Sequence, residues 1–158
     1  MAMPLSPKDV PGRRSPAEGV HIDSGQPTIV FLTVCAKDRE PWLANSSVQR
    51  ALEQVWLAAD AWLVGYYLLM PDHLHLFCAP RQADVLLSTW MGYWKREFSC
   101  LHLPGTGRWQ RKGWDTRLRR SESYAEKWAY VSENPVRRGL VERVDDWPYR
   151  GMLNRLAW

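Results

Sequence analysis

The sequence contains little cysteine and histidine, and it has no long apolar segment. Its 158 residues include three cysteines and four histidines. Cys35, Cys78 and Cys100 are widely spaced in apolar stretches, which predicts reduced core thiols and argues against a disulfide framework or a cysteine zinc cluster. No apolar run approaches the length of a membrane span, and the N-terminus lacks a signal-peptide core. We therefore expect a cytoplasmic protein without membrane contact.

The chain is rich in tryptophan and has more basic than acidic residues. It contains ten tryptophans and carries a formal net charge of +4. A chain of this length can bury one real core, and its positive charge favours a polyanionic partner. Residues 1–27 are rich in proline, serine and glycine. We expect them to form an irregular or mobile leader before a single domain at residues 28–158.

The apolar pattern predicts the order strand, helix, strand, strand, helix, followed by a third helix. The predicted strands are 28–36, 62–70 and 73–79, and the predicted helices end near residues 61, 100 and 134. Candidate caps for the three helix starts are Asn45, Ser46 or Ser47, then Asp84, and then Ser121 or Ser123. Pro135 disfavours helical backbone at the residue before it and so limits the third helix. The tail after Gly139 is predicted to be a loop with a short closing segment.

Two histidines stand two residues apart where the second strand of a predicted hairpin begins. Side chains alternate between the faces of a strand, so His73 and His75 share one face and the leucines beside them share the other. Pro71 and Asp72 favour a tight turn, which puts the pair beside that turn. Two imidazoles on one face can converge on one divalent ion, although an isolated His-x-His pair is more often structural.

The predicted third helix displays a tyrosine away from its apolar stripe. The stripe consists of Tyr124, Trp128 and Val131. Glu126, Tyr130 and Asn134 lie four residues apart and therefore form a different face. Packing does not require Tyr130, so its phenol is free to do chemistry, although tyrosines at helix shoulders often serve packing alone.

Residues 104–120 combine basic residues and tryptophan in a pattern typical of nucleic-acid contacts. The expected phosphate contacts are Arg108, Arg111, Lys112, Arg117, Arg119 and Arg120. Trp109 and Trp114 lie among them and can offer ring faces to unstacked bases. The alternative is a charged surface loop with both tryptophans turned inward. Lys95 and Arg96 of the predicted second helix are either further phosphate contacts or a solvated edge.

Two separated segments together resemble one family. They are residues 69–75 (LMPDHLH) and residues 130–141 (YVSENPVRRGLV). With Trp109, Gln110 and Asp115 between them, they resemble the REP-associated tyrosine transposases, which are single-tyrosine HUH transposases related to the smallest insertion-sequence transposases. The joint occurrence in this order is far more specific than either segment alone, and the resemblance covers roughly residues 28–150.

The resemblance implies an α+β fold, with an antiparallel sheet and helices in a ferredoxin-like or RRM-like HUH endonuclease arrangement. It implies that His73 and His75 bind Mg²⁺ or Mn²⁺ and that Tyr130 is the nucleophile. A polar residue one helical turn after the tyrosine often completes the metal site in this family, and here that residue is Asn134. Residues 15–27 differ from the basic, aromatic stretch of members with known guide recognition. Asp72 stands where Asn or Glu is frequent, a change expected to matter little.

The implied activity is the cleavage and rejoining of single-stranded DNA next to a hairpin, such as a repetitive extragenic palindrome, through a 5′-phosphotyrosine intermediate. Phenols are weak nucleophiles near neutral pH, so the ion or a nearby base such as Glu126 has to help remove the proton. Two alternatives stay open: a non-cleaving binder of hairpin DNA or RNA, and a metal-dependent phosphodiesterase that uses water. The sequence also leaves open whether the protein is a monomer or a homodimer.

Overall fold

The computed structural model describes residues 28–102, 107–111, 113–118 and 123–156. The strands are β1 (Val30–Cys35), β2 (Trp62–Leu69), β3 (His73–Pro80), β4 (Trp114–Arg117) and β5 (Arg150–Met152). The helices are α1 (Ser46–Ala58), α2 (Leu87–Leu101), α3 (Tyr124–Ser132) and α4 (Asn134–Arg137). The strands form an antiparallel sheet in the order β4-β1-β3-β2-β5. The expected α+β fold is confirmed, while the predicted leader at 1–27 lies outside the described residues.

The two faces of the sheet bury two separate hydrophobic clusters. Val34, Leu74 and Leu76 lie in the cluster that also contains buried residues of α1 and α2, including several tryptophans. Phe31 and Phe77 lie in the other cluster, which contains residues of α3 and of the C-terminal segment. Because β1 and β3 are central and alternate between the clusters, each contributes side chains to both faces. The site described below lies on the face with Phe31 and Phe77.

Most of the predicted helix boundaries are confirmed, and one cap was assigned wrongly. The Asn45 side chain accepts a hydrogen bond from the Val48 N–H at 2.9 Å, and Ser123 caps α3 in the same way. The α2 helix begins at Leu87, and its first turn has no side-chain cap, so the proposal for Asp84 was wrong. The α3 helix ends at Ser132, and α4 restarts the helix after a break at Glu133. Pro135 fits the first turn of α4, where no intrahelical donor is needed.

Two strands were not predicted from the sequence. β4 lies inside the basic stretch, where it pairs through its backbone with β1, Asp115 opposite Leu32. A strand at the edge of a sheet needs no continuous apolar pattern, because one of its edges and part of its surface face water. β5 is three residues long and forms by pairing with β2, so its existence depends on contacts that are distant in sequence. Both strands are consequences of tertiary pairing.

Two of the three cysteines match the expected core thiols. Cys35 and Cys78 are buried and free, and burial raises the pKa of each thiol. Cys100 is exposed near the end of α2, so its assignment to the core was wrong. The reason is its helical position, which places Phe98 rather than Cys100 on the buried stripe. In the described residues, no helix is long and apolar enough to cross a membrane.

Candidate active site

The two histidines of β3 lie side by side on one face of the sheet, as the strand alternation predicts. His73 is 0% and His75 is 1% exposed. Their Nε2 atoms are 3.1 Å apart, and the two rings meet at an interplanar angle of 77°. The His75 ring also stacks on Phe31, with centroids 5.2 Å apart. The pair is thus buried, and its two Nε2 atoms face each other at hydrogen-bond distance.

Each histidine is oriented through its other ring nitrogen. His73 Nδ1 lies 2.7 Å from Asp72 Oδ1, and the second oxygen of Asp72 accepts from Arg39 Nε at 2.9 Å. His75 Nδ1 lies 2.9 Å from the hydroxyl of Thr33, its register partner on β1. An ionised carboxylate can only accept, so His73 donates through Nδ1 and presents a lone pair at Nε2. Asp72 is therefore part of the site, while the expectation that Asp in place of Asn or Glu matters little stays a prediction.

Burial keeps both imidazoles neutral near neutral pH. Desolvation is the largest cause that lowers the pKa of His73, and the Asp72 carboxylate opposes it. Desolvation also lowers the pKa of His75, and a proton on the neighbouring His73 would lower it further. The hydrogen bond from His73 and the ion pair with Arg39 in turn lower the pKa of Asp72. Neutral imidazoles beside an ionised carboxylate are the state in which histidine binds metal ions.

The geometry of the pair fits an octahedral divalent ion. Adjacent ligands with bonds of about 2.1 Å on such an ion lie about 3 Å apart, close to the 3.1 Å between the two Nε2 atoms. The hydroxyl of Thr33 can either accept from Nδ1 or donate to it, so it is compatible with either tautomer of His75. Within the described ranges, no three His, Cys, Asp or Glu side chains form a metal-binding group. Further ligands must therefore come from other donors, such as an amide, water or phosphate.

Tyr130 lies in the last turn of α3, and Asn134 begins α4. Tyr130 is 44% exposed, whereas Asn134 is 2% exposed. Arg137 links them: its Nη2 donates to the Tyr130 carbonyl at 2.6 Å and to Asn134 Oδ1 at 2.9 Å. A guanidinium has no acceptor, so the amide atom that faces it is the oxygen, which retains a second lone pair. Glu126 is exposed in the first turn of α3, one helical turn before Tyr130.

Three cations that the sequence pattern does not single out act electrostatically on the histidine pair. The charges of Arg39, Lys127 and Arg138 all contribute to lowering the pKa of His75. The Lys127 ammonium lies 5.4 Å from the centroid of Phe31, the ring that stacks on His75. No sequence signal places Arg39 here, since it depends on the turn after β1, where its φ is +56°. Lys127 lies three residues before Tyr130, so helical spacing could have indicated its side of α3.

The predicted nucleic-acid residues fall into different environments. Arg96, Arg108, Arg111 and Arg117 are exposed, and Trp114 is half-buried on the edge strand β4. Trp109 packs edge-on against Trp42, Trp94 and Phe98, with centroids within 5.4 Å. These contacts favour the alternative in which the ring of Trp109 turns inward, and its role as a stacking platform for bases stays a prediction. Lys112, Arg119 and Arg120 lie outside the described residues.

Lys95 is held by the protein itself. Its Nζ donates to the Gln110 carbonyl at 3.1 Å, next to the point where Gln110 N–H binds the Cys35 carbonyl at the end of β1. Burial lowers the pKa of Lys95 to about 8. Lys95 therefore does not lie on a solvated edge, because its ammonium is bonded within the protein. A contact between Lys95 and DNA stays a prediction. Its observed contact ties α2 to the basic segment.

Lys95 should give the protein a pH-dependent stability. An unfolded lysine has a pKa of about 10.4, so between about pH 8 and about pH 10 the unfolded chain holds more protons than the folded chain. Folding stability should therefore rise with pH in this window, and Lys95→Met should reduce that rise. Urea unfolding at both ends of the window measures the difference from the wild type. The exposed Lys37, changed to Met, is the matched control; an equal slope in wild type and Lys95→Met would contradict the assignment.

The chain resembles known proteins over much of its length, although no family model matches it. A REP-associated tyrosine transposase of Escherichia coli is 32% identical over 128 residues, covering 75% of this chain and 73% of that protein. A Haemophilus influenzae protein described in the same terms is 32% identical over 95 residues, covering 51% of this chain and 53% of that protein. A solved REP-associated tyrosine transposase bound to a REP hairpin has the same fold, with a TM-score of 0.70 at 21% identity; the match covers 87% of this chain and 82% of that chain.

Proposed function

Because this chain belongs to the family of REP-associated tyrosine transposases, we propose that it cleaves and rejoins single-stranded DNA beside a hairpin. The observation that carries the proposal is the buried histidine pair, with its Nε2 atoms 3.1 Å apart and its Nδ1 atoms bound by Asp72 and Thr33. With the outer nitrogens held by Asp72 and Thr33, the two Nε2 atoms lie close enough together to bind one ion. The exposed phenol of Tyr130 supplies a nucleophile on α3, the helix that packs on this face of the sheet.

His73 and His75 would hold a divalent ion through Nε2, and Asn134 would complete the set through its amide oxygen. Bound there, Mg²⁺ or Mn²⁺ supplies a Lewis acid that polarises the scissile phosphate. Asp72 and Thr33 hold the two imidazoles in orientation, while Arg39 keeps Asp72 ionised and in place. Burial keeps the imidazoles unprotonated, so their lone pairs remain available.

In the proposed cleavage step, Tyr130 is the nucleophile. The hydroxyl oxygen of Tyr130 attacks the phosphorus, the bond from phosphorus to the 3′ oxygen breaks, and the phenolic proton ends on that oxygen. The products are a 5′-phosphotyrosine and a free 3′-hydroxyl. The phosphotyrosyl bond is itself a phosphodiester, so a second 3′-hydroxyl can displace the tyrosine and seal a new junction. Lys127 and Arg138, whose charges act on His75, can offset charge on the phosphate oxygens.

Hairpin DNA is the proposed partner. The related transposase of known structure is bound to a REP hairpin, and the present chain shares its fold. Arg108, Arg111 and Arg117 are exposed and can contact phosphates, and the half-buried Trp114 lies on the same edge of the sheet. Lys112, Arg119 and Arg120 would extend this basic surface. A homodimer and a cytoplasmic location stay predictions.

The direct test is a denaturing gel of the protein with Mn²⁺ and labelled single-stranded DNA that carries the palindromes flanking its own gene. A protein–DNA band that survives denaturation is the expected result, because the intermediate is covalent. Cleaved DNA without that band would favour a phosphodiesterase that uses water. Binding without cleavage, across several ions and hairpins, would favour a non-cleaving hairpin binder.

Asp72→Ala should weaken Mn²⁺ binding without unfolding the protein. Residues that orient a metal-binding histidine typically account for about 10–100-fold in affinity, and Asp72 is the group that holds His73. Isothermal titration with Mn²⁺ measures this loss directly. The control is Asp60→Ala, since Asp60 is an exposed carboxylate that pairs with Arg81 at 3.1 Å, away from the histidines. Equal Mn²⁺ affinity in wild type and Asp72→Ala would contradict the assigned role.

A further inference from the structure

Arg137 is the most extensively bonded side chain at the junction that carries Tyr130. Its Nη2 donates to the Tyr130 carbonyl at 2.6 Å and to Asn134 Oδ1 at 2.9 Å, and its Nη1 donates to Glu133 Oε2 at 3.0 Å. Its guanidinium carbon lies 4.3 Å from the centroid of the Tyr130 ring. One side chain thus contacts the backbone and the ring of the tyrosine and the amide of Asn134.

Arg137 makes its backbone contact at the end of α3. The helix ends at Ser132, so the carbonyls of its last turn have few helical donors, and the Tyr130 carbonyl accepts a long bond of 3.3 Å from the Glu133 N–H. Arg137 supplies a donor to one of them and places its positive charge at the negative end of the helix. Since α4 is only four residues long, Arg137 also fixes how that helix follows α3.

The guanidinium has little capacity left for a substrate. Both hydrogens of Nη2 and one of Nη1 are directed to protein acceptors, and the side chain is 17% exposed. Its Nε is buried without a hydrogen-bond partner in the described structure. Burying a donor without a partner costs free energy, so the position of Arg137 is set by its other contacts.

We propose that Arg137 is a positioning residue that holds the phenol of Tyr130 and the amide of Asn134 in a fixed mutual arrangement. The inference rests on the proposed function, in which Tyr130 attacks the phosphate. Arg137 acts through its neighbours: stacking limits the rotation of the tyrosine ring, and the bond to Oδ1 sets the orientation of the amide. A nucleophile held in one orientation reacts faster than one that samples several.

The test uses Arg137→Lys, which keeps the charge but loses the planar fork and the stacking. The matched control is Arg143→Lys, because Arg143 is 78% exposed and pairs with Asp146. 3-Fluorotyrosine at position 130 gives a ¹⁹F signal that reports ring orientation without DNA or metal. Two further quantities are measured: the single-turnover rate of covalent adduct formation at saturating DNA, and the Kd for the hairpin.

In Arg137→Lys, the ¹⁹F signal should shift and broaden, and adduct formation should slow by about 10–100-fold, the scale of a small misplacement of a reacting group. Hairpin affinity should stay within about two-fold, as expected for a residue that does not bind DNA. Arg143→Lys should match the wild type throughout. Glu133→Gln removes one anchor of Arg137 and should give a smaller change in the same direction, which keeps the test valid if Arg137→Lys folds poorly.

Two results would overturn the assignment. An unchanged ¹⁹F signal with a wild-type adduct rate would show that Arg137 does not position Tyr130. A loss of hairpin affinity equal to the loss of rate would make Arg137 a phosphate contact instead. If the wild-type protein itself forms no adduct, the proposed function fails, while the ¹⁹F comparison still decides whether Arg137 orients the ring.

Discussion

Tyr130→Phe is expected to abolish the covalent protein–DNA adduct, with a fall in rate of at least ~10⁴-fold, the scale seen when a nucleophile is removed. The substitution deletes one oxygen and keeps the ring that packs against Arg137. Hairpin binding should therefore persist, since the phenol contributes to bond making and not to the basic surface. Adduct formation is followed on a denaturing gel, and binding is followed by fluorescence anisotropy with the same labelled hairpin.

Tyr93→Phe is the matched control for this experiment. Tyr93 and Tyr130 are both 44% exposed, and each lies near an arginine, 5.9 Å from Arg96 in the case of Tyr93. Because Tyr93 lies on α2, its loss should leave the adduct unchanged. Retained metal-dependent cleavage in Tyr130→Phe would assign the nucleophile to water, and an adduct in this variant would place the nucleophile on another residue.

His75→Phe is expected to lower Mn²⁺ affinity and metal-dependent cleavage by more than about 100-fold, exceeding the effect of losing an orienting residue. Phenylalanine keeps a buried ring against Phe31 and removes both ring nitrogens. Some stability is lost because the Thr33 hydroxyl, 5% exposed, loses its partner. The folded fraction is therefore checked by thermal unfolding before Mn²⁺ titration and the cleavage assay.

The chain offers a matched control for this substitution as well. His102 stacks on Phe98 with centroids 5.1 Å apart, at the end of α2. His102→Phe makes the same chemical change away from the histidine pair and should preserve both Mn²⁺ binding and cleavage. Chelation of the wild-type protein with EDTA should reproduce the cleavage defect of His75→Phe. Wild-type cleavage by a folded His75→Phe protein would mean that the pair is structural.

The placement of His73 and His75 on one face of the sheet could be predicted from the sequence, because it depends on strand alternation alone. His73 and His75 share a face in any strand, and Leu74 packs in the opposite cluster as that alternation requires. The partners of the histidines could not be predicted in this way. Thr33 meets His75 only in one register of β1 against β3, and Arg39 reaches Asp72 only through a turn with positive φ.

Interior contacts between residues distant in sequence explain why the environments of Trp109 and Lys95 could not be predicted. A tryptophan among arginines looks like a surface residue, but Trp109 completes an aromatic group with Trp42 and Phe98, more than ten residues away. Lys95 lies beside the buried stripe of α2, and the course of residues 107–111 decides that its ammonium meets a carbonyl. Arg137 lies beyond the predicted end of the third helix near residue 134, and its contacts with Tyr130 and Asn134 depend on the helix restarting as α4.

The two faces of the sheet serve different purposes, so substitutions on each face should have different effects. Trp56, Trp90 and Trp94 are buried with α1 and α2, on the side opposite the histidine pair. Much of the aromatic packing that stabilises the chain is therefore separate from the groups proposed to do chemistry. A descendant that lost Tyr130 would keep its scaffold and its basic edge. The proposed catalysis can thus be lost while the fold is kept.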